Sequence, residues 1–444
     1  MPSATHRPRR YPIWWPALVV VAAAACAPPP APPAAPAPVA GADSARRDSL
    51  ARVAAARRDS VARAEVAARV AADSARAAAG ARTLETPADR TRVRLARRAG
   101  VVRVCAGGDV TLGTNLDTSW VRTASRREGR RVSAFPDPNG LLAPLRPLLG
   151  DADVVLLNVE GAIGEGPATR KCRPGSTACF AFRQPVPVAR ALRDVASGAI
   201  VVGNVANNHS RDAGPAGFRA TQRHMRAAGV HVTGADTLPT LVVSPAGDTV
   251  AVLGFGTSPN GPDARDLAAV RRHVRRAAEA AERVIVTMHL GAEGRGAQRT
   301  RRGVERFHGV SRGDPVAFAE AAVEAGADLV VGHGPHVLRA AEWRGDALAA
   351  YSLGNLVTYG PFSNGEPIKR GALLCAALGA ADGVLEAVLR PTVQRQPGRV
   401  DADPAMRAAV LVDSLSRLDF PRTGARVRAD GLLTKRGVES AGER

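Results

Sequence analysis

Residues 326–336, GADLVVGHGPH, are a short apolar run that stops in a knot of glycine, proline and histidine. Leu329, Val330 and Val331 are too few for a helix. The flanking glycines and the β-branched valines suit a strand covered on both faces. His333 and His336 then fall in one short loop beyond the carboxyl end of that strand, where two imidazoles can reach a common centre.

The same pattern occurs four more times upstream. Asp109 leaves the run ending Cys105-Ala-Gly-Gly at a glycine-rich turn, and Asn158 and Glu160 close the next run. Asn204, Asn207, Asn208 and His209 follow the third, with Asp212 soon after; His289 and Glu293 follow the fourth. Ligands of α/β sheets bind beyond the carboxyl ends of strands, so five such clusters predict one site at one edge of a layered α/β domain. Strands are expected at Val101–Ala106, Val154–Asn158, Ile200–Gly203, Val250–Phe255, Val284–His289, Asp328–Val331 and Leu348–Ser352. Helices are expected at Pro187–Val195, Pro215–Ala228, Leu267–Ala281, Pro315–Ala325 and Asp403–Leu415.

Taken singly, each cluster has an ordinary explanation. Asp109 reads as a turn or cap residue, His336 as a surface-loop residue, and Asp212 as the N-cap of the helix near Pro215. His224, His231, His273 and His308 lack this setting and read as structural or surface residues. Together, carboxylates, an amide oxygen and imidazoles without thiolates suit Mn²⁺, Fe or Zn²⁺. A carboxylate bridging two ions about 3.5–4 Å apart is the usual device for activating water on a phosphoester.

In this order, GDVTLG at 108–113, NVEG at 158–161, ANNHSRDAGPAG at 206–217, HLGAEG at 289–294, GADLVVGHGPH at 326–336 and YSLGNLV at 351–357 resemble the CapA family of poly-γ-glutamate capsule-synthesis proteins. The resemblance covers roughly residues 101–360. It implies an αββα sandwich similar to the calcineurin-like metallophosphatases, with a divalent metal site of one or two ions at one edge. By that resemblance Asp109, Glu160, Asn208, His289, His333 and His336 are the ligands, and His209 acts as general acid or steadies the transition state. The sequence departs from the phosphatases at Thr111, where they carry a histidine, and at Glu160, where they carry an aspartate. A missing ligand puts the first ion in doubt. It also departs from common CapA wording, with Leu290 in place of an aromatic residue and Gly334 in place of a histidine.

The first hundred residues are of another kind. A basic start (His6, Arg7, Arg9, Arg10), an apolar stretch from Tyr11 to Ala25 and a small-residue run before Cys26 lay out a secretory signal over residues 1–26. Cys26 is the candidate lipidation residue; plain cleavage nearby and an uncleaved anchor are the other readings. Residues 27–41 are a Pro/Ala-rich spacer, and residues 42–99 an Ala/Arg-rich helical linker with only a thin apolar stripe. The domain itself is expected over 100–400, with a C-terminal helix and a frayed tail over 401–444. Export permits disulfides, and Cys172 and Cys179, seven apart in a polar loop, are the candidate pair. Cys105 and Cys375 lie in strand-like runs and read as small core residues.

The net charge is +20, carried almost wholly by arginine, with Lys171, Lys369 and Lys435 the three lysines. Residues 42–100 hold 14 Arg against 7 acidic residues, so much of the excess lies outside the domain. With few aromatics and no nucleic-acid-binding motif, nucleic acid is not expected as a partner. Two functions fit. One is an exported cell-envelope enzyme, a metal-dependent hydrolase of a phosphoester, a polymer amide or a glycan-linked substrate. The other is a non-catalytic accessory protein, tethered to the membrane by a lipid anchor and binding an anionic polymer such as poly-γ-glutamate or a capsule precursor. In the second, the arginine-rich stretch Arg295–Arg306 is a candidate polymer contact.

Overall fold

The computed structural model describes residues 94–436 except 115, 117–119, 165–170, 173–178, 259–260 and 361–364; N-terminal to these it describes only Ala64 and Ala68. The signal segment, Cys26, the spacer and nearly all of the linker therefore lie outside the described residues. No helix among the described residues is long and apolar enough to cross a membrane.

The chain builds two sheets by crossing between them twice. Strands β1 (Val101–Leu112), β2 (Val154–Val159), β3 (Ile200–Asn204) and β4 (His231–Thr233) start the first sheet. The second receives β5 (Thr240–Val243), β6 (Thr249–Gly256), β7 (Arg283–His289), β8 (Leu329–His333), β9 (Ala341–Arg344) and β10 (Ala347–Ala350). The chain then returns to the first with β11 (Asn355–Tyr359), β12 (Arg370–Gly379), β13 (Val384–Arg395) and β14 (Arg399–Ala402). The order in the first sheet is β14-β13-β12-β1-β2-β3-β4, with β11 also beside β1; in the second it is β9-β10-β8-β7-β6-β5.

Alternation along the central strands sets the layers. Val102, Val104 and Ala106 of β1 and Val154 and Leu156 of β2 pack in one cluster with Val250, Val286 and Val330 of the second sheet. Cys105, Val155 and Leu157 face the other way, toward Val188, Leu192 and Met225. Those residues belong to or adjoin helices α2 (Pro187–Arg193) and α3 (Gly214–Ala227), which follow α1 (Trp120–Glu128). Helices α4 (Leu267–Ala280) and α5 (Pro315–Glu324) close the second sheet through Val270, Val274, Phe318 and Ala322. Both begin at an aspartate: Asp266 accepts from the Ala269 N–H, and Asp314 accepts from the Val316 and Ala317 N–H groups. A final helix, α6 (Arg407–Asp419), packs against strands of both sheets. The result is a four-layer αββα sandwich with β1, β2 and β3 parallel in one sheet and β6, β7 and β8 parallel in the other.

Three expectations need correction. Cys105 and Cys375, read as two separate core residues, stand opposite each other on β1 and β12 and are joined by a disulfide, both fully buried. The tail after the C-terminal helix does not all fray: Arg426–Val427 pairs with Leu433–Thr434, burying Val427 and Leu433. The antiparallel wing β12–β14 is absent from the expected strands; in β13 the apolar run of the sequence is broken by Arg390, Pro391 and Thr392, although the pairing with β12 runs on through them. Arg390 is buried there against Asp151, its Nη1 2.7 Å from Oδ1 and its Nη2 2.5 Å from Oδ2.

Candidate metal centre

Register alone brings most of the site together. In the first sheet Asn355, Asp109, Asn158 and Asn204 stand abreast on β11, β1, β2 and β3. In the second, Gly256, His289 and His333 stand abreast on β6, β7 and β8. Asn204, Gly256, His289 and His333 end their strands and Asp109 and Asn158 stand near the ends of theirs, while Asn355 begins β11, so both rows lie at the carboxyl edge of β1, β2 and β3 and of β6, β7 and β8. The Asn158 amide ties them. Its Nδ2 donates to Asp109 Oδ1 at 2.8 Å and lies 3.3 Å from His289 Nδ1, and its Oδ1 accepts from Asn204 at 2.9 Å and Asn207 at 3.2 Å.

Local irregularities aim the ligands. Irregular pairing on either side of Asp109 breaks the ladder of β1, a device that redirects a side chain. Gly108 is required there, since a Cβ would meet the Gly354 carbonyl oxygen at 1.9 Å. Beside it, Asn355 Oδ1 accepts a hydrogen bond from His336 Nδ1 at 2.9 Å, which orients the ring. His336 itself sits at φ 57°, in the left-handed region that costs a non-glycine residue about 1–3 kcal/mol and is tolerated mainly at functional sites.

Asp109, Glu160 and His336 each offer an atom within 4.8 Å of the others. His336 Nδ1 is 3.0 Å from Asp109 Oδ2, His289 Nε2 is 3.8 Å from Glu160 Oε1, and His333 Nδ1 is 3.8 Å from Asp109 Oδ1. Asp109, Glu160, His289 and His333 are at most 1% exposed. Among the described residues, both Glu160 oxygens, Asn208 Oδ1, His289 Nε2 and both His333 nitrogens are buried without a hydrogen-bond partner. Buried polar atoms are normally satisfied, by an ion or water where the protein offers no partner, and the carboxylate and imidazole donors of Asp109, Glu160, His289, His333 and His336 fit a divalent cation. Thr111, at the position of the phosphatase histidine, commits its hydroxyl to the Glu160 carbonyl at 2.7 Å and so supports the ligand strand.

The electrostatics point the same way. Glu160 is pushed up to about 8, first by burial and then by the Asp109 charge. Burial works on Asp109 too, but the neighbouring imidazoles, His336 foremost, outweigh it and hold Asp109 below the usual carboxylate range. Burial pushes His333 down to about 4 and His289 well below its ordinary value, so both are neutral, the form that ligates metal. His336 resists burial and rises to about 9 because Glu160 and Asp109 surround it. Its proton answers the same negative field that would draw a cation.

His209 is held beside this cluster. Its Nδ1 lies 2.6 Å from Asp212 Oδ2, and its ring lies 4.5 Å from that of Phe182. Lys171 Nζ pairs with Asp212 Oδ1 at 2.6 Å and approaches His209 Nδ1 at 3.1 Å. Burial first, then the Lys171 charge, push His209 down to about 4. Asp212 is therefore not the helix cap its position suggested: α3 starts at Gly214 behind Ala213 with no side-chain cap, and Asp212 is 1% exposed beneath His209. Its spacing of three from His209 was the legible signal, as was the asparagine of YSLGNLV for Asn355. Lys171 and Arg312 carried no signal, since only the fold brings them near.

The structure joins Cys172 to Cys179 by a disulfide, immediately after Lys171. The arginine-rich stretch proposed for polymer contact is partly committed within the chain. Arg299 pairs with Asp419, Arg302 with Glu320 at 2.8 Å, and Arg295 donates to the Glu366 carbonyl.

Residues 103–359 match the family described as Bacterial capsule synthesis protein PGA_cap. The "Capsule biosynthesis protein CapA" of Bacillus anthracis is 28% identical over 190 residues, 37% of this chain, and the chain spans 42% of that relative's length. Among solved structures, a putative 5'-nucleotidase from Staphylococcus aureus aligns with a TM-score of 0.39 at 11% identity, covering 70% of this chain and 58% of that one. GAP50 of Plasmodium aligns with a TM-score of 0.31 at 10% identity, covering 70% of this chain and 95% of that one.

Proposed function

The chain belongs to the bacterial capsule synthesis protein family PGA_cap, and from that premise we propose that it acts at the cell envelope as a metal-dependent, metallophosphatase-like hydrolase on an anionic capsule polymer such as poly-γ-glutamate, or on its precursor. The observation that carries this reading is the set of buried, unpartnered ligand atoms on Glu160, Asn208, His289 and His333 around Asp109 and His336. A divalent cation held by these residues would supply Lewis acidity toward a substrate oxygen.

The chain's own groups supply the proton handling. At 2.6 Å the Asp212 carboxylate fixes the Nδ1 proton of His209 and leaves Nε2 to exchange a proton with substrate. Burial keeps the resting imidazole neutral. A proton-donating role at the leaving group therefore requires that Nε2 first take a proton within the turnover.

A second reading, a non-catalytic polymer-binding protein, is favoured by one feature. A groove of about 950 Å³ beside α1 is lined by Arg122, Arg126 and Arg131 over an apolar floor of Val121 and Val132. Among the described residues these three arginines form no ion pair with a carboxylate, an arrangement that suits a chain alternating methylenes and carboxylates.

The test is metal content by plasma mass spectrometry on the full chain, comparing wild type with His333→Ala/His336→Ala. Stoichiometric Mn, Fe or Zn in wild type, lost in the double variant, supports the hydrolase and directs substrate assays to phosphoesters and γ-glutamyl polymers. A folded wild type that takes up none of these ions on reconstitution refutes it and leaves the binding role.

A further inference from the structure

Arg312 is 8% exposed, and its Nε is buried with no hydrogen-bond partner among the described residues. Its guanidinium is ion-paired with Glu293, whose Oε2 lies 3.9 Å from His336 Nε2. The residue is delivered by a short hairpin, Arg306–Phe307 paired with Val310–Ser311, that is stapled to the loop after β7. The Arg312 carbonyl accepts from Gly291 N–H at 2.9 Å, and Arg312 N–H donates to the Glu305 carbonyl at 2.8 Å. The Glu305 carboxylate in turn accepts from Ala292 N–H at 2.7 Å and from both terminal nitrogens of the fully buried Arg339, at 2.8 and 2.7 Å. The hairpin is thus a rigid arm whose buried cation reaches the rim of the candidate metal centre.

A second cation at a cation-binding centre is repelled unless an anion lies between them. Glu293 supplies one such charge, yet a guanidinium carries five donors in a planar fork and Nε–H is left over. A substrate oxyanion would satisfy that donor and both cations at once. We propose that Arg312 is the specificity-determining contact for a substrate carboxylate or phosphate, with Glu293 holding its fork toward the centre. The proposal rests on the hydrolase reading of that centre and deepens it by naming the group on the substrate that is recognised.

The test is titration calorimetry of the full-length, metal-reconstituted protein with inorganic phosphate and, separately, with glutarate, which distinguishes the two oxyanions. Wild type is compared with Arg312→Ala and Arg312→Lys, and metal content is measured in parallel. Loss of one charge-assisted contact is expected to weaken the preferred anion about 10- to 100-fold in Arg312→Ala, with metal retained. Arg312→Lys keeps the charge but not the fork and is expected to lie between the two. Should Arg312→Ala fail to fold, Arg312→Lys decides alone, with an expected weakening of several-fold. Equal affinity in wild type and the folded variants overturns the proposal, as does a wild type that binds neither anion at millimolar concentration. A wild type without metal refutes the centre, not Arg312, because the same titration on metal-free protein still reads the dependence on residue 312.

Discussion

Replacing Glu160 by glutamine should change stability in opposite directions with and without metal. Glu160 is fully buried, neither oxygen has a hydrogen-bond partner among the described residues, and Asp109 faces it. Its carboxyl ionises near 4.5 in an unfolded chain and at about 8 in the fold. In the metal-free protein at pH 7, folding must therefore keep this acid protonated, which costs about 3 kcal/mol. Glutamine keeps the shape, carries no charge and can donate to Asp109, so the metal-free variant should gain up to that amount. For a domain of this size 3 kcal/mol corresponds to a rise in Tm of roughly 4 °C. The sign has a pH signature. A raised carboxyl contributes stability that is fully present below 4.5 and is lost as pH climbs toward 8, so the advantage of glutamine should vanish near pH 4.5 and grow to pH 8. With metal, the order reverses. A ligand at one hundred times its Kd stabilises wild type by about 2.7 kcal/mol, and a variant lacking a charged ligand loses most of that. Scanning fluorimetry across pH 4.5–8, with chelator and with excess Mn²⁺ or Zn²⁺, reads both effects. A metal-free variant less stable than wild type at pH 8, or an undiminished metal-induced shift, would refute the reasoning.

Three further outcomes are expected. Asp212→Asn should leave metal content unchanged but destabilise the domain by about 1–3 kcal/mol in urea titration, because an amide cannot accept from His209, Lys171 and the Phe182 N–H together; Lys171 is partly solvent-exposed, which limits the loss. Arg390→Met strands the buried Asp151 carboxylate, which also holds the Leu95 N–H at 2.9 Å, and should cost about 3–5 kcal/mol by the same measurement; a loss below 1 kcal/mol would show that the pair is not structural. Alkylation of protein produced under oxidising conditions and unfolded without reductant should leave Cys105, Cys172, Cys179 and Cys375 unmodified, and Cys105→Ala/Cys375→Ala should lower stability by several kcal/mol because it opens a loop spanning 270 residues; alkylated Cys105 or Cys375 would show that the strands β1 and β12 are not cross-linked.

The short apolar runs suited to strands covered on both faces, and the polar residue ending each of them, are local properties of the chain; which of their residues face the second sheet, such as Val102, Val104 and Ala106, is not. They were enough to predict the layered α/β architecture and the edge on which the site lies, since strand length, burial and carboxyl-end polarity are all written in neighbouring residues. What no local pattern contains is register between strands far apart in sequence. Asp109, Asn158, Asn355 and the pair His289 and His333 become neighbours only because the ladders align them, and Cys105 meets Cys375 for the same reason. Asp212 shows the limit most plainly. Its sequence position before a helix fits a cap equally well, and only burial beneath Phe182 and Lys171 makes a partner for His209 the lower-energy use of its charge. Arg312 lies further still from any motif. A solvated arginine in a polar loop and a buried arginine beside Glu293 at the candidate centre read alike in the sequence, and the hairpin fastened by Glu305 and Arg339 decides between them by removing water from the guanidinium.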